Sequence, residues 1–246
     1  MKDLVAYITT GYPSLDFSVD LAMSLKEAGV DTIELGIPFS DPVADGPVIE
    51  EANLRALNGG FKMKHLFEVS KRIAPNIDTL LMGYFNPFYH IGIEKFIKHA
   101  VDNGISGFII PDLPYEEAKP YKPQIEKSNL VLIDFIAPTD PKNRIEKIVK
   151  NSKKFIYLVA YAGITGAKRQ ESLERVISDI REFSNTPIYV GFGVNEQSAK
   201  EKAKGVDGVI VGSAFIKILL DDRLNYSQKI SKISKMASNI KSKINE

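Results

Sequence analysis

The chain of 246 residues contains no cysteine and only three histidines. Without cysteine, disulfides, thiolate zinc sites and a cysteine nucleophile are excluded. The histidines, His65, His90 and His99, lack the spacing of a metal-binding motif such as HExxH. A histidine-based metal site and a Ser-His-Asp triad are therefore not expected, and the sequence predicts no bound metal.

A large excess of either charge and a long apolar run are also missing. Lysine and arginine number 32 and aspartate and glutamate 31, so the net charge is +1. This balance produces no long-range field that would attract nucleic acid or an anionic membrane. No apolar stretch reaches the roughly 18 residues of a membrane-spanning helix, and no signal peptide precedes the first apolar segment. These features predict a cytoplasmic protein that binds neither nucleic acid nor membrane.

Short apolar segments alternate with amphipathic segments from one end of the chain to the other. Continuous apolar runs, typical of parallel strands covered on both faces, predict strands at 4–10, 32–37, 79–84, 107–112, 131–136, 155–160, 188–191 and 208–211. Apolar residues three and four positions apart predict helices at 17–28, 64–73, 93–102, 143–149, 173–183, 196–203 and 226–244.

This order of segments favours an α/β fold, a (β/α)8 TIM barrel with eight parallel strands, a C-terminal helix on its outside and one domain over residues 1–246. The length agrees, because such barrels run to roughly 250 residues. An open doubly wound sheet would produce a similar alternation. In a parallel barrel the active site lies at the carboxyl ends of the strands, so polar residues at those ends are the candidates for chemistry.

The first candidate segment, 33–47 (IELGIPFSDPVADGP), has a carboxylate inside an apolar strand, followed by an acidic, proline-rich loop. Burial raises the pKa of a carboxyl group toward neutrality, which suits a residue that acts as both acid and base. Glu34 is that residue, and Asp45 lies in the loop. On spacing alone, catalysis and a salt bridge inside the barrel explain Glu34 equally well.

Glycine-containing turns follow the last two predicted strands, at Gly191-Phe192-Gly193 and at Gly212-Ser213. Glycine lets backbone N–H groups approach a phosphate, and phosphate sites are frequent after strands seven and eight of these barrels. Two tight turns without a ligand are the alternative. The pattern favours a phosphorylated ligand without saying which one.

A loop of small residues, 161–169, follows the sixth predicted strand and resembles a mobile lid; a plain flexible loop is the alternative. No predicted strand ends in lysine, which argues against a Schiff-base aldolase. Acid–base carbon–carbon chemistry on a phosphorylated substrate remains.

Several of these segments closely resemble the signatures of tryptophan synthase α subunits. The similar motifs occur in family order between about residues 4 and 220 and lie at 33–47, 51–56 (EANLRA), 110–114 (IPDLP), 163–166 (GITG), 191–193 (GFG) and 212–214 (GSA). The acidic proline loop is the specific match, since the glycine turns occur in other phosphate-binding barrels. The resemblance implies a carbon–carbon lyase of tryptophan biosynthesis that splits indole-3-glycerol phosphate into indole and glyceraldehyde 3-phosphate.

The resemblance also implies roles for individual residues. Glu34 matches the catalytic glutamate, Asp45 the aspartate that faces the indole N–H, and Tyr157 a tyrosine close to that glutamate. The positions that match the walls of the substrate pocket are Tyr7, Thr9, Ile49, Tyr84, Asp112, Ile136, Thr165 and Phe192. The positions that match the phosphate site are Gly166, Gly193, Gly212 and Ser213. One departure is Tyr161, which stands where the best-studied members have a loop arginine that helps closure.

A partner follows from the resemblance as well. Alpha subunits dock onto a β subunit in an α2β2 heterotetramer and pass indole to it, so no cofactor is expected in this chain and pyridoxal phosphate is expected in the partner. The residues expected to face the partner are Asp41, Pro42, Asn86 and Pro87, in two loops on the barrel rim. The aromatic composition of the loop 86–90 suits an interface, although a locally packed loop explains it equally well.

Two other readings stay open. A related phosphate-binding barrel of tryptophan or histidine biosynthesis would need a lysine at a strand end, or aspartates near the ends of strands one and five; Asp134 lies in strand five, but strand one ends in Thr9-Thr10. A catalytically silent activator of the β subunit would not need Glu34 and Asp45, both of which are present.

Overall fold

The computed structural model describes residues 1–160 and 167–246 and, of residues 167–172, the backbone alone. Within them, nine parallel strands form one sheet in the order β5-β4-β3-β2-β1-β9-β8-β7-β6. Their bounds are β1 Asp3–Thr9, β2 Thr32–Gly36, β3 Asp78–Met82, β4 Gly107–Ile109, β5 Val131–Leu132, β6 Asp134–Ile136, β7 Ile156–Val159, β8 Ile188–Gly191 and β9 Gly208–Val211.

The first and last strands in this order, β5 and β6, belong to one extended segment of the chain. Strands β5 and β6 are separated by Ile133 alone; β5 pairs with β4, and β6 pairs with β7. The sheet therefore runs around a nearly closed barrel of eight staves, and the predicted TIM barrel is confirmed.

Helices follow the strands around the barrel. The described helices are α1 Leu15–Glu27, α2 Pro47–Asn58, α3 Met63–Ile73, α4 Phe85–Ile91, α5 Ile93–Asp102, α6 Tyr115–Ala118, α7 Lys122–Lys127, α8 Lys142–Val149, α9 Ala167–Phe183, α10 Ala199–Lys202, α11 Ser213–Leu219 and α12 Tyr226–Ile244. The predicted C-terminal helix is α12, which packs on α1, α10, α11 and β1 on the outside of the barrel.

Local signals set the ends of several elements. Ser14 caps α1 by accepting a hydrogen bond from the Phe17 N–H at 3.1 Å, and Gly29, at φ +90°, follows the helix in the left-handed conformation that favours glycine. Helix α2 begins with Pro47, whose missing N–H costs nothing in a first helical turn.

Two expectations about the elements were wrong. The segment 86–90 is not a loop but part of α4. The Asp112 carboxylate, which follows the neighbouring strand β4, accepts a hydrogen bond from the Phe85 N–H at 2.8 Å and so caps the start of this helix. The predicted helix 196–203 shrinks to α10, because the Asn195 side chain accepts from the N–H groups of Gln197 and Ser198 and holds those residues in a turn.

The core has two parts. An inner cluster fills the barrel with Val5, Leu80, Ile109, Ile133, Phe155, Tyr157, Tyr189 and Ile210. A larger cluster lies between the strands and the helices. None of the helices in the described parts of the chain combines the length and the apolar character that crossing a bilayer requires.

Candidate active site

Glu34 lies on the inner face of the barrel. In the register of the sheet, its neighbours are Tyr7 on β1 and Leu80 on β3. Leu80 belongs to the inner cluster, and side chains paired across strands point to the same face, so Glu34 points into the barrel as well. The residue is only 2% exposed. Glu34 therefore lies in an apolar interior, where an ionised carboxylate is costly unless it is paired.

The Glu34 carboxyl group favours its neutral form. Burial, and to a lesser extent the Asp45 carboxylate, raise its pKa to about 8. Its Oε1 atom is enclosed, and within the described residues it has no hydrogen-bond partner. A salt bridge inside the barrel, the alternative explanation for this residue, does not occur among the described residues.

Asp45 lies in the loop between β2 and α2 and is held beside Tyr84. The Ala44 N–H donates to the Tyr84 hydroxyl at 3.0 Å, and the Tyr84 ring stacks on Phe39 with centroids 5.5 Å apart. Burial raises the pKa of Asp45 to about 6, against a hydrogen bond from Tyr84 that lowers it. The two carboxyl groups therefore differ: near neutral pH Asp45 is mainly ionised and Glu34 mainly protonated.

Two buried tyrosines cross glycines on the next strand. The Tyr7 hydroxyl lies 2.4 Å from the position of a Cβ atom on Gly36, and the Tyr157 hydroxyl lies 2.4 Å from that on Gly191. Burial raises the pKa of both phenols, and both interact electrostatically with Glu34 and Asp45. Any residue larger than glycine at either position would displace a ring from the site.

The aromatic wall of the site includes a residue that the sequence analysis missed. Phe135 stacks on Tyr157 with centroids 4.7 Å apart, and Phe192 meets Tyr157 edge-on at 6.1 Å. The predicted wall residue Ile136 pairs with Leu158 and belongs with it to the cluster packed against the helices. The pocket role of Ile136 stays a prediction, since a continuously apolar strand does not reveal which alternate residues point inward.

Other predicted wall residues lie near the mouth. Thr9 is buried, and its hydroxyl interacts with the Tyr7 phenol. Ile49 reaches to within 3.5 Å of the Cβ position on Gly212. The Asp112 carboxylate accepts a hydrogen bond from the Phe85 N–H and thereby caps α4. The predicted lid, 161–169, is not described: residues 161–166, which include Thr165 and Gly166, lie outside the described residues. The side chains of 167–169 lie outside them as well.

The predicted phosphate turns lie at the carboxyl ends of β8 and β9, which are neighbours in the sheet. Gly193 has φ +69° and is exposed, and Gly212 and Ser213 are half-buried at the start of α11. The Tyr7 Cβ atom lies 3.4 Å from the Cβ position on Gly212. The Tyr7 ring thus connects the β9 turn with Gly36, two residues beyond Glu34.

The predicted partner surface is partly exposed. Asp41 and Asn86 are exposed and Pro87 is half-buried, but Pro42 is buried within its own loop. The adjacent Val43 is 83% exposed and Tyr89 is 64% exposed, so these two present the large apolar surface at the rim. The sequence analysis chose Pro42 and missed Val43, because only the folded loop shows that Pro42 is buried and Val43 is exposed.

Taken together, the site has a buried carboxyl group whose pKa is raised to about 8, a second carboxyl group with a lower pKa of about 6, an aromatic slot and two glycine turns. Such a set can move a proton, stabilise a developing cation and anchor an anion. In the described parts of the chain, no group of three or more histidine, aspartate or glutamate side chains is arranged to hold a metal ion.

The chain matches the family model described as tryptophan synthase alpha chain over residues 1–245. The curated tryptophan synthase alpha chain of Wolinella succinogenes is 55% identical over the whole chain and 96% of the relative, and that of Campylobacter jejuni subsp. doylei is 40% identical over 92% of each.

Solved structures agree. The tryptophan synthase subunit alpha of Campylobacter jejuni superposes with a TM-score of 0.87 at 37% identity and covers 96% of this chain and 95% of its own. The corresponding subunit of Legionella pneumophila gives 0.89 at 31% identity, with 99% and 93% covered. Tryptophan synthase of Mycobacterium tuberculosis gives 0.89 at 30% identity, with 100% and 93% covered.

Proposed function

Because the chain belongs to the tryptophan synthase alpha chain family, we propose that Glu34 and Asp45 perform its reaction. The enzyme is a lyase of tryptophan biosynthesis that cleaves indole-3-glycerol phosphate into indole and glyceraldehyde 3-phosphate. The observation that carries the assignment is the buried Glu34 carboxyl group, whose pKa is raised to about 8 beside Asp45.

Glu34 starts the reaction as an acid. Its raised pKa keeps it protonated at neutral pH, so it can donate its proton to C3 of the indole ring. C3 then becomes tetrahedral, and the positive charge lies on the ring nitrogen. The ionised Asp45 carboxylate faces this N–H and stabilises the cation as it forms.

The same glutamate then acts as a base. Its carboxylate accepts the proton of the hydroxyl on the carbon attached to the ring, and the bond between that carbon and C3 breaks. The bond electrons return to the ring as the C2–C3 double bond, which neutralises the nitrogen. The products are indole and an aldehyde, and Glu34 is protonated again, so one carboxyl group completes the cycle.

The aromatic slot supplies binding for the indole ring. Tyr7, Tyr84, Tyr157, Phe192 and Phe135 would surround a flat apolar group, which binds by burial at about 25 cal/mol per Å². Enclosure also removes water from Glu34 and so maintains the raised pKa on which the first step depends.

The glycine turns supply the anchor at the other end of the substrate. The N–H groups of Gly193, Gly212 and Ser213 would donate to the phosphate, with Gly166 and Thr165 in support. β1 separates β9 from β2 in the sheet, and the substrate's glycerol chain would cross it. Anchoring both ends holds the scissile bond over Glu34.

We further expect a β subunit to bind at the rim, in an α2β2 heterotetramer whose pyridoxal phosphate belongs to the partner. The exposed Asp41, Val43, Asn86 and Tyr89 surround the mouth from which indole leaves. Apolar and aromatic side chains in a polar rim are typical of such interfaces.

The experiment incubates the purified protein with indole-3-glycerol phosphate, with and without β subunit, and measures indole. In parallel, glycerol 3-phosphate should raise the melting temperature through the phosphate turns, whereas glycerol should not. No indole under either condition would overturn the proposal. An unchanged melting temperature at saturating glycerol 3-phosphate would overturn the phosphate site.

A further inference from the structure

The turn after β8 adopts a backbone conformation that needs support. Phe192 and Gly193 are consecutive left-handed residues, with φ +70° and +69°. Glycine adopts this conformation freely, but for a phenylalanine it is strained and persists only where the surroundings impose it. Gly193 has no side chain to pack, and the Phe192 ring is 38% exposed and meets Tyr157 only by its edge, so hydrogen bonds to the backbone of the turn are the further support.

Two side chains at α10 hold the carbonyl groups of this turn. The Lys202 Nζ atom donates to the Phe192 carbonyl at 2.6 Å, and the Ser198 hydroxyl donates to the Gly193 carbonyl at 3.0 Å. Ser198 caps α10 and Lys202 ends it, so the two lie four residues apart on one face of the helix. Helix α10 belongs to the layer outside the barrel.

The hydrogen bond from Lys202 to the Phe192 carbonyl also fixes the direction of the Gly193 N–H, because both groups belong to the same peptide. The Phe192 carbonyl and the Gly193 N–H belong to one planar trans peptide and point in opposite directions. With the carbonyl held toward Lys202 on α10, the N–H points away from that side chain. No acceptor among the described residues takes the Gly193 N–H.

We infer that Lys202 is a positioning residue for phosphate binding: it fixes the Phe192–Gly193 peptide so that the Gly193 N–H faces the substrate phosphate. This inference rests on the proposed phosphate site and adds to it a side chain outside the glycine turns. The ammonium group also lies 3.4 Å from the Cβ position on Gly193, so its positive charge stands beside the anion. Its field favours a phosphate dianion at this turn.

The test compares three variants. Lys202→Met removes the donor, Lys202→Arg keeps a cationic donor, and Lys200→Met is the control, because Lys200 is exposed on the same helix and pairs with Glu246. Titration calorimetry with glycerol 3-phosphate should show affinity about 3–10-fold weaker for Lys202→Met. Lys202→Arg should recover most of it, and Lys200→Met should match the unaltered protein.

Steady-state kinetics separate positioning from general damage to the fold. For Lys202→Met, KM for indole-3-glycerol phosphate should rise by the same factor as the dissociation constant, with kcat within about twofold, because the phosphate contact is made in ground and transition states alike. Unchanged affinity of Lys202→Met for glycerol 3-phosphate would overturn the inference while leaving the phosphate site intact. Failure of the unaltered protein to bind glycerol 3-phosphate would overturn both.

Discussion

The hydroxyl of Tyr7 lies directly over Gly36, only 2.4 Å from where a Cβ atom on that glycine would stand. Gly36 is two residues beyond Glu34 on the same face of β2, and Tyr7 is the neighbour of Glu34 across the β1–β2 ladder. The glycine thus makes room for the Tyr7 ring, whose residue lies beside Glu34 in the sheet.

Gly36→Ala should therefore destabilise the protein and impair the reaction. The added methyl group would also meet Tyr7 Cζ at 2.5 Å, so the buried ring would have to move. We expect a loss of about 1–3 kcal/mol in the free energy of unfolding, measured by urea denaturation. Gly46→Ala is the matched control, since a Cβ there meets nothing within 4 Å, and its loss should be smaller. Equal losses would show that the contact does not matter.

The rate of indole formation should have a bell-shaped dependence on pH. Asp45 must be ionised, so kcat/KM should rise as the pH passes about 6; Glu34 must hold a proton, so kcat/KM should fall as the pH passes about 8. Initial rates from pH 5 to 10 measure both limbs. A rate that continues to rise above pH 9 would contradict the assignment of Glu34 as the starting acid.

Asp45→Asn should lower the rate and move the remaining basic limb. Losing the carboxylate that stabilises the ring cation should reduce kcat by about 10²–10³-fold. The same carboxylate raises the pKa of Glu34, so its removal should shift the basic limb to lower pH. A basic limb that stays in place would mean that the two carboxyl groups do not interact.

Glu34 should also make the fold less stable in alkali. Between the ordinary pKa of a glutamate, 4.5, and the folded-state pKa of about 8, the unfolded chain has released the proton and the folded chain has not, so stability falls as the pH rises through this window and then levels off. Glu34→Gln removes the effect. Relative to the unaltered protein, it should gain on the order of 4 kcal/mol at pH 9 compared with pH 4.5, by urea denaturation at both values. Parallel stability curves would exclude a buried, protonated Glu34.

Much of this arrangement could be predicted because its signals are local. Continuous apolar runs mark the parallel strands, a carboxylate inside such a run marks Glu34, and glycines at strand ends mark the turns. The strands therefore lie close to their predicted positions, and Glu34 lies on the inner face with Tyr7 and Leu80 beside it.

The features that the sequence did not reveal depend on contacts between distant segments. Helix α4 was expected to be a loop because its cap, Asp112, comes from the next stave. Phe135 was missed because the sequence alone does not assign the inner and outer faces of an apolar strand, which the register of the sheet does. Lys202 is one of many lysines, and its contact with the Phe192 carbonyl exists only after α10 packs beside β8.

The central claim is that one buried carboxyl group both protonates the indole ring and accepts the hydroxyl proton. Its most direct test is indole release by purified Glu34→Gln from indole-3-glycerol phosphate, with activation of an added β subunit measured on the same sample to show that the variant is folded. We predict that indole release falls below detection, by at least about 10³-fold, while activation of the β subunit is retained. Indole release at the rate of the unaltered protein would contradict the assignment of Glu34.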